Sequence, residues 1–236
     1  MTHPMFANIV YDLVIDGGPI MWPILACFGL ALVVVLERAL WWAELKRRSR
    51  LASLPSVFDA ISEGRFEDAL EQTADASDPF RSTLHEGLTH AHASFLGAMQ
   101  LRATDEIERA EKRLWILSAL ITLAPLLGLL GTVVGIMGSF QFVGSEELAA
   151  TKVSGGIAEA LIATASGLAV AILCLLPFHY FQRAHQTLQS RLERVINHVE
   201  LLVESAKHHG HDLESFARRR SVGERDEDPK AIRLSL

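Results

Sequence analysis

The sequence predicts an all-α membrane protein with three transmembrane helices, two of them extended into a helical cytoplasmic domain. Three observations predict it. Half of the 236 residues are hydrophobic although 21 % are charged, and mean hydropathy is positive, a mixture that fits apolar spans separated by charged segments. Charged residues are absent from three windows: Gly17 to Leu36 (20 residues), Leu114 to Ser145 (32) and Ala160 to Gln182 (23). A helix rising about 1.5 Å per residue needs roughly 20 such residues to cross the hydrocarbon core, so each window is long enough. The basic residues are also one-sided. Of 22 Lys and Arg, 11 lie in Arg38 to Arg113 and 10 in Arg183 to Arg233, with only Lys152 elsewhere.

That asymmetry sets the orientation, because cytoplasmic loops carry the excess of Lys and Arg. Residues 1–16 are therefore an N-terminal periplasmic segment, amphipathic over Pro4 to Ile15. They contain no basic n-region and no A-x-A site follows, so the first span is expected to stay as an anchor. Asp16-Gly17-Gly18-Pro19 breaks the chain ahead of that span, which occupies 17–40, and Pro suits a first helical turn. Trp41 and Trp42 then suit the inner interface, with Lys46, Arg47, Arg48 and Arg50 beyond them.

Residues 41–113 form the helical cytoplasmic domain. Pro55 to Ser62 and Arg65 to Ala74 are two short amphipathic helices around Gly64, and Asp78-Pro79 caps a third that runs to about His92. From Leu96 no Pro interrupts the chain until Pro125, and Thr104 to Arg109 are helix formers, so one continuous helix is expected to enter the second span, 114–142. Residues 143–152 are the periplasmic loop and 153–181 the third span. Residues 182–207 continue that span inward, with Leu188, Leu192, Val195, Val199 and Leu202 at helical spacing. The remainder, 208–236, turns polar and is expected to be a flexible tail, disordered over Arg218 to Pro229.

Within the spans one residue stands out. Glu159 lies about 9 Å along the axis from Val153. A carboxylate at a helix centre costs roughly 2.5–3.5 kcal/mol on insertion scales, so such groups face a bundle interior or a wet path. The competing reading is that Glu159 sits shallow and hydrates at the outer mouth. Small residues form a second signal. Gly128, Gly131, Gly135 and Gly138 mark one side of the second span, and Gly156, Ala160, Thr164, Gly167 and Ala171 one side of the third. Membrane helices pack through such faces. Hydroxyls accompany the carboxylate: Thr132 and Ser139 share a face, Ser166 shares that of Glu159, and Thr164 borders it. Thr132 and Thr164 come to similar depth in an antiparallel hairpin, although a lone Thr hydroxyl more often bonds its own helix backbone.

Ala124-Pro125-Leu126-Leu127-Gly128-Leu129-Leu130-Gly131-Thr132-Val133-Val134-Gly135-Ile136-Met137 resembles the second span of the ExbB/TolQ/MotA proton-channel family. Gly156-Ile157-Ala158-Glu159-Ala160-Leu161-Ile162-Ala163-Thr164-Ala165 is similar to the third-span motif of its ExbB and TolQ branch, and Gly18 to Ile24 with Leu36-Glu37-Arg38 to that branch's first span. The resemblance extends to about residue 205. It implies a stator-like energy converter: a homo-oligomer, taken as a pentamer, whose second and third spans line a pore holding single-span ExbD- or TolR-like partners. The assembly would pass protons and drive a TonB- or TolA-like protein. By motif position Thr132, Glu159 and Thr164 match the family's polar pore residues. Two departures stand out: Leu173 replaces a common Pro, with Pro177 one turn later, and Phe178-His179 replaces a Tyr-Asn pair. They leave open whether the role is ExbB-like or TolQ-like.

Other classes find little support. Net charge of −6 and the lack of a basic patch interleaved with aromatics argue against nucleic acid. Cys27 and Cys174 lie in separate apolar spans and read as small hydrophobes. Neither His85, His90 and His92 nor His208, His209 and His211 have supporting ligands at metal spacing, so no metal and no cofactor are expected. No G-x-S-x-G, H-E-x-x-H or Walker A pattern suggests an enzyme.

Overall fold

Apolar stretches of this length, broken only at Gly, Pro and charged turns, leave helix as the one way to satisfy the backbone within a bilayer. The computed structural model describes residues 17–49, 54–74, 77–141 and 149–227, and among them every regular element is helical. They are α1 (Met21–Arg48), α2 (Leu54–Ser62), α3 (Phe66–Thr73), α4 (Pro79–Thr89), α5 (Ala91–Glu111), α6 (Leu114–Phe140), α7 (Ala149–His208) and α8 (Leu213–Glu227). Among the described residues three stretches are long and apolar enough to cross a membrane: α1, α6 together with its approach, and α7. The periplasmic segment assigned to 1–16, most of the 143–152 loop and residues 228–236 lie outside the described residues.

The chain divides into two compact units, 1–40 with 113–183, and 41–112 with 184–236. The first holds the spans. From α1 it buries Met21, Ile24, Cys27, Ala31 and Val34, and from α6 Leu114, Leu117, Leu120, Ala124, Gly128 and Gly131. From α7 it buries Ala160, Ala163, Val170, Ala171 and Cys174. The α1 and α6 sets recur every three or four residues, and the α7 set keeps to one side with buried Gly167 between Ala163 and Val170, the signature of one helix face. The outward faces keep Leu30, Val33, Leu126, Leu130, Val134, Leu161, Ile172 and Leu176 exposed. In water such a surface would drive aggregation; in lipid it needs no cover.

The second unit is a polar-surfaced helical bundle. Asp78 caps α4 by accepting from the Phe80 N–H at 2.9 Å, and Pro79 opens the helix. Val57, Ala60 and Ile61 of α2, Ala69 and Leu70 of α3, and Phe80, Leu84 and Leu88 of α4 are buried. So are Met99 and Ala103 of α5 and Leu192, Val195 and Val199 of α7. The helix expected to run unbroken into the second span does not. Lys112 is extended in ψ and Arg113 adopts a left-handed backbone (φ 67), separating α5 from α6. Arg113 forms an ion pair with Glu37 of α1, which Arg38 also contacts at 3.0 Å. A tertiary contact has overridden local helix propensity. The tail also differs from expectation over 213–227. Residues 213–227 form α8, with Leu213 and Ala217 buried and the Phe216 ring 5.6 Å from that of Phe66. Leu213, Phe216 and Ala217 make a short i, i+3, i+4 apolar stripe inside a charged segment, which suffices once a groove receives it.

Candidate functional site: the hairpin of the second and third spans

Close packing of α6 on α7 is written in their small residues. A side chain at Gly128 would stand 3.0 Å from both the Ala163 carbonyl oxygen and the Thr164 Cα, and one at Gly135 2.9 Å from the Ala160 methyl. At Gly131 it would meet the Ala163 methyl at 2.7 Å, at Gly156 the Ser139 hydroxyl, and at Gly167 the Ala124 carbonyl. Five of the six glycines singled out from sequence thus face the partner helix. Gly138 is the exception, with nothing within 4 Å of where its side chain would be. Residue 138 falls off the line of contact made by Ala124, Gly128, Gly131, Gly135 and Ser139.

The hydroxyls separate in the same way. Thr164 donates across the helix pair to the Gly128 carbonyl at 2.8 Å, a bond that the missing side chain of Gly128 makes reachable. Thr132 instead donates to the Leu129 carbonyl of its own helix at 2.6 Å, and Ser139 to Gly135 at 2.8 Å. Ser166 is buried with no hydrogen-bond partner for its hydroxyl among the described residues. The register that joins Gly131 to Ala163 and Gly135 to Ala160 places Thr132 at a level between Glu159 and Thr164. The three expected pore residues therefore share a narrow band of depth. Among the described residues no hydrogen bond joins them to one another.

Glu159 is half-buried, and its carboxylate packs against Gly18, in the turn that leads into α1. The neighbouring Ile20 lies against Gly131. From sequence, Gly17-Gly18 reads as a helix break and Gly18 as the start of the first-span resemblance, with no link to Glu159. The missing signal is register, since nothing local says which residue of the third span meets that turn. At the other end of this unit the acidic and basic groups pair, Glu37 with Arg38 and Arg113, leaving Glu159 as the carboxylate of the hairpin among the described residues. Among the described residues no group of three or more His, Cys, Asp or Glu could hold a metal ion.

These features define a class: a multi-pass membrane protein with three helical spans and a glycine-packed hairpin that carries one carboxylate among its described residues. The sequence pattern of the MotA/TolQ/ExbB proton channel family matches residues 75–194. The chain belongs to that family, in its ExbB/TolQ branch. A putative biopolymer transport protein, ExbB-like 1, of Synechocystis is 34 % identical over 178 residues, covering 71 % of this chain and 68 % of that one. ExbB-like 3 of the same organism is 31 % identical over 194 residues, 79 % of this chain and 91 % of that one. The Tol-Pal system protein TolQ of Haemophilus influenzae is 31 % identical over 167 residues, 58 % of this chain and 71 % of that one.

Proposed function

We propose that this chain is the ExbB-like, proton-conducting stator subunit of an inner-membrane energy-transducing complex. With an ExbD/TolR-like single-span partner it couples the proton-motive force to TonB-dependent transport across the outer membrane. In this reading it is not an enzyme. It assembles as a homo-oligomer, taken as a pentamer, whose α6 and α7 surround the partner. Its N-terminus is periplasmic and its polar helical unit cytoplasmic. The observation that carries the reading is Glu159, set in a span otherwise free of charge and at the depth of Thr132 and Thr164. An ionisable side chain within a span marks an ion pathway by default, since nothing else offsets its insertion cost.

The names of the TolQ relatives favour one alternative, a TolQ-like subunit of a Tol-Pal system acting in outer-membrane integrity and cell division. Phenotype separates the two: failure of iron or vitamin uptake on deletion, or a leaky envelope and chained cells. A non-conducting scaffold would use the same glycine faces. Proton flux into proteoliposomes holding this chain and its single-span partner tests the central claim. Flux that needs the partner and collapses in Glu159→Ala and Thr132→Ala, with assembly intact, is the expected result. Mutants conducting like the parent complex would remove both residues from the path, whereas no flux even from the parent complex would favour the scaffold.

A further inference from the structure

Gly18 is constrained twice over. Its backbone is left-handed (φ 69), a conformation that costs an L-residue roughly 1–2 kcal/mol. Its missing side chain is also the space that the Glu159 carboxylate fills: a Cβ there would overlap Oε1 and stand 2.5 Å from Cδ and 3.0 Å from Cγ. A turn needs only the first property, which Asn or Asp can also supply. The second concerns Glu159 alone. The Gly18 turn is tied to the first span, since the Gly18 carbonyl accepts from the Met21 N–H at 3.1 Å, and Ile20 packs on Gly131 beside it. The turn and the residues that follow it therefore touch both helices of the hairpin, α7 at Glu159 and α6 at Gly131.

We propose that the Gly18 turn is a seat for the Glu159 carboxylate, making Gly18 a positioning residue that fixes where this group stands at the outer part of the hairpin. Its consequence for conduction rests on the reading that Glu159 belongs to the proton path. With the seat open, the carboxylate lies back against the first span and its place is fixed by that span's leading turn. With the seat filled, the carboxylate has to take another rotamer, pointing away from the first span. The first span thereby acts on conduction without lining the path.

A double-mutant cycle in the full complex, reconstituted with its single-span partner, separates the two demands on Gly18. Gly18→Ala carries the backbone cost in any background, whereas the collision exists only when Glu159 is present. The seat predicts that Gly18→Ala lowers the unfolding midpoint by about 4 °C more in the native background than in Glu159→Ala. Gly18→Asn, better suited to a left-handed backbone, should show the same coupling with a smaller common penalty. Loss of assembly in Gly18→Ala that Glu159→Ala restores supports the seat equally. Equal penalties in both backgrounds would overturn it and leave Gly18 as a turn residue. Proton flux is the second readout: Gly18→Ala should reduce flux and displace its pH midpoint, whereas Gly29→Ala, with open space around it, should do neither. Flux indifferent to Glu159→Ala defeats the proton-path reading while the cycle still decides the seat. Flux that needs Glu159 but ignores Gly18→Ala would overturn the positioning role.

Discussion

Gly167 and Gly138 belong to the same small-residue pattern, yet a methyl group at each meets opposite surroundings. At Gly167 it runs into the Ala124 carbonyl, which belongs to a helix backbone and cannot turn aside; at Gly138 it meets open space. Gly167→Ala should therefore force the helices apart and cost about 1–3 kcal/mol, whereas Gly138→Ala should be neutral within the protomer. Thermal unfolding of the purified protein in detergent checks both. The sequence showed that the glycines of each span share a side, because period 3.6 is visible in spacing alone. It did not show which of them end on the line of contact, because that depends on the crossing of two helices. The hydroxyls teach the same lesson. Thr132 bonds its own helix, as a lone Thr commonly does, whereas Thr164 reaches a carbonyl 36 residues away only because position 128 carries no side chain.

Among elements, the break between α5 and α6 is the place where local propensity and structure disagree. Lys112 and Arg113 are good helix formers, and nothing in their neighbourhood encodes a stop. The stop is tertiary: the Arg113 guanidinium pairs with Glu37, a residue from another helix. Arg113→Ala should keep the unfavourable backbone and lose the partly exposed ion pair, a cost of up to about 1 kcal/mol. Arg113→Gly loses the same pair but relieves the backbone by a similar amount, and should unfold close to the parent. Comparing the two unfolding curves tests whether the left-handed residue contributes as described. α8 was illegible for another reason. Its composition is that of a solvated tail, and three apolar residues acquire meaning only against Phe66 and the buried faces of α4 and α5. Leu213→Ala should cost roughly 2–4 kcal/mol in that unit and expose the Arg218-Arg219-Arg220 run to trypsin, with cleavage rate as the readout.

For the whole molecule, the number of spans and the helical character of both units were legible, because hydropathy and charge are properties of composition along the chain. The distribution of Lys and Arg makes a prediction that stands apart from the fold. A single cysteine introduced at His208 of a Cys27→Ser, Cys174→Ser background should react with an impermeant maleimide only after the inner membrane is opened. Labelling in intact spheroplasts would reverse the proposed orientation. Close approach of α6 and α7 has a consequence for where water can stand within a protomer. Where a side chain at Gly128 would stand 3.0 Å from the opposing Ala163 carbonyl, the helices touch through their backbones. The polar pair at that level, the Thr164 hydroxyl and the Gly128 carbonyl, is already spent on itself. A water molecule needs both volume and two to four polar partners, and this seam offers neither. At this level no file of water can pass between the two helices, so in the proposed reading the conducting route lies outside the α6–α7 seam of a single protomer.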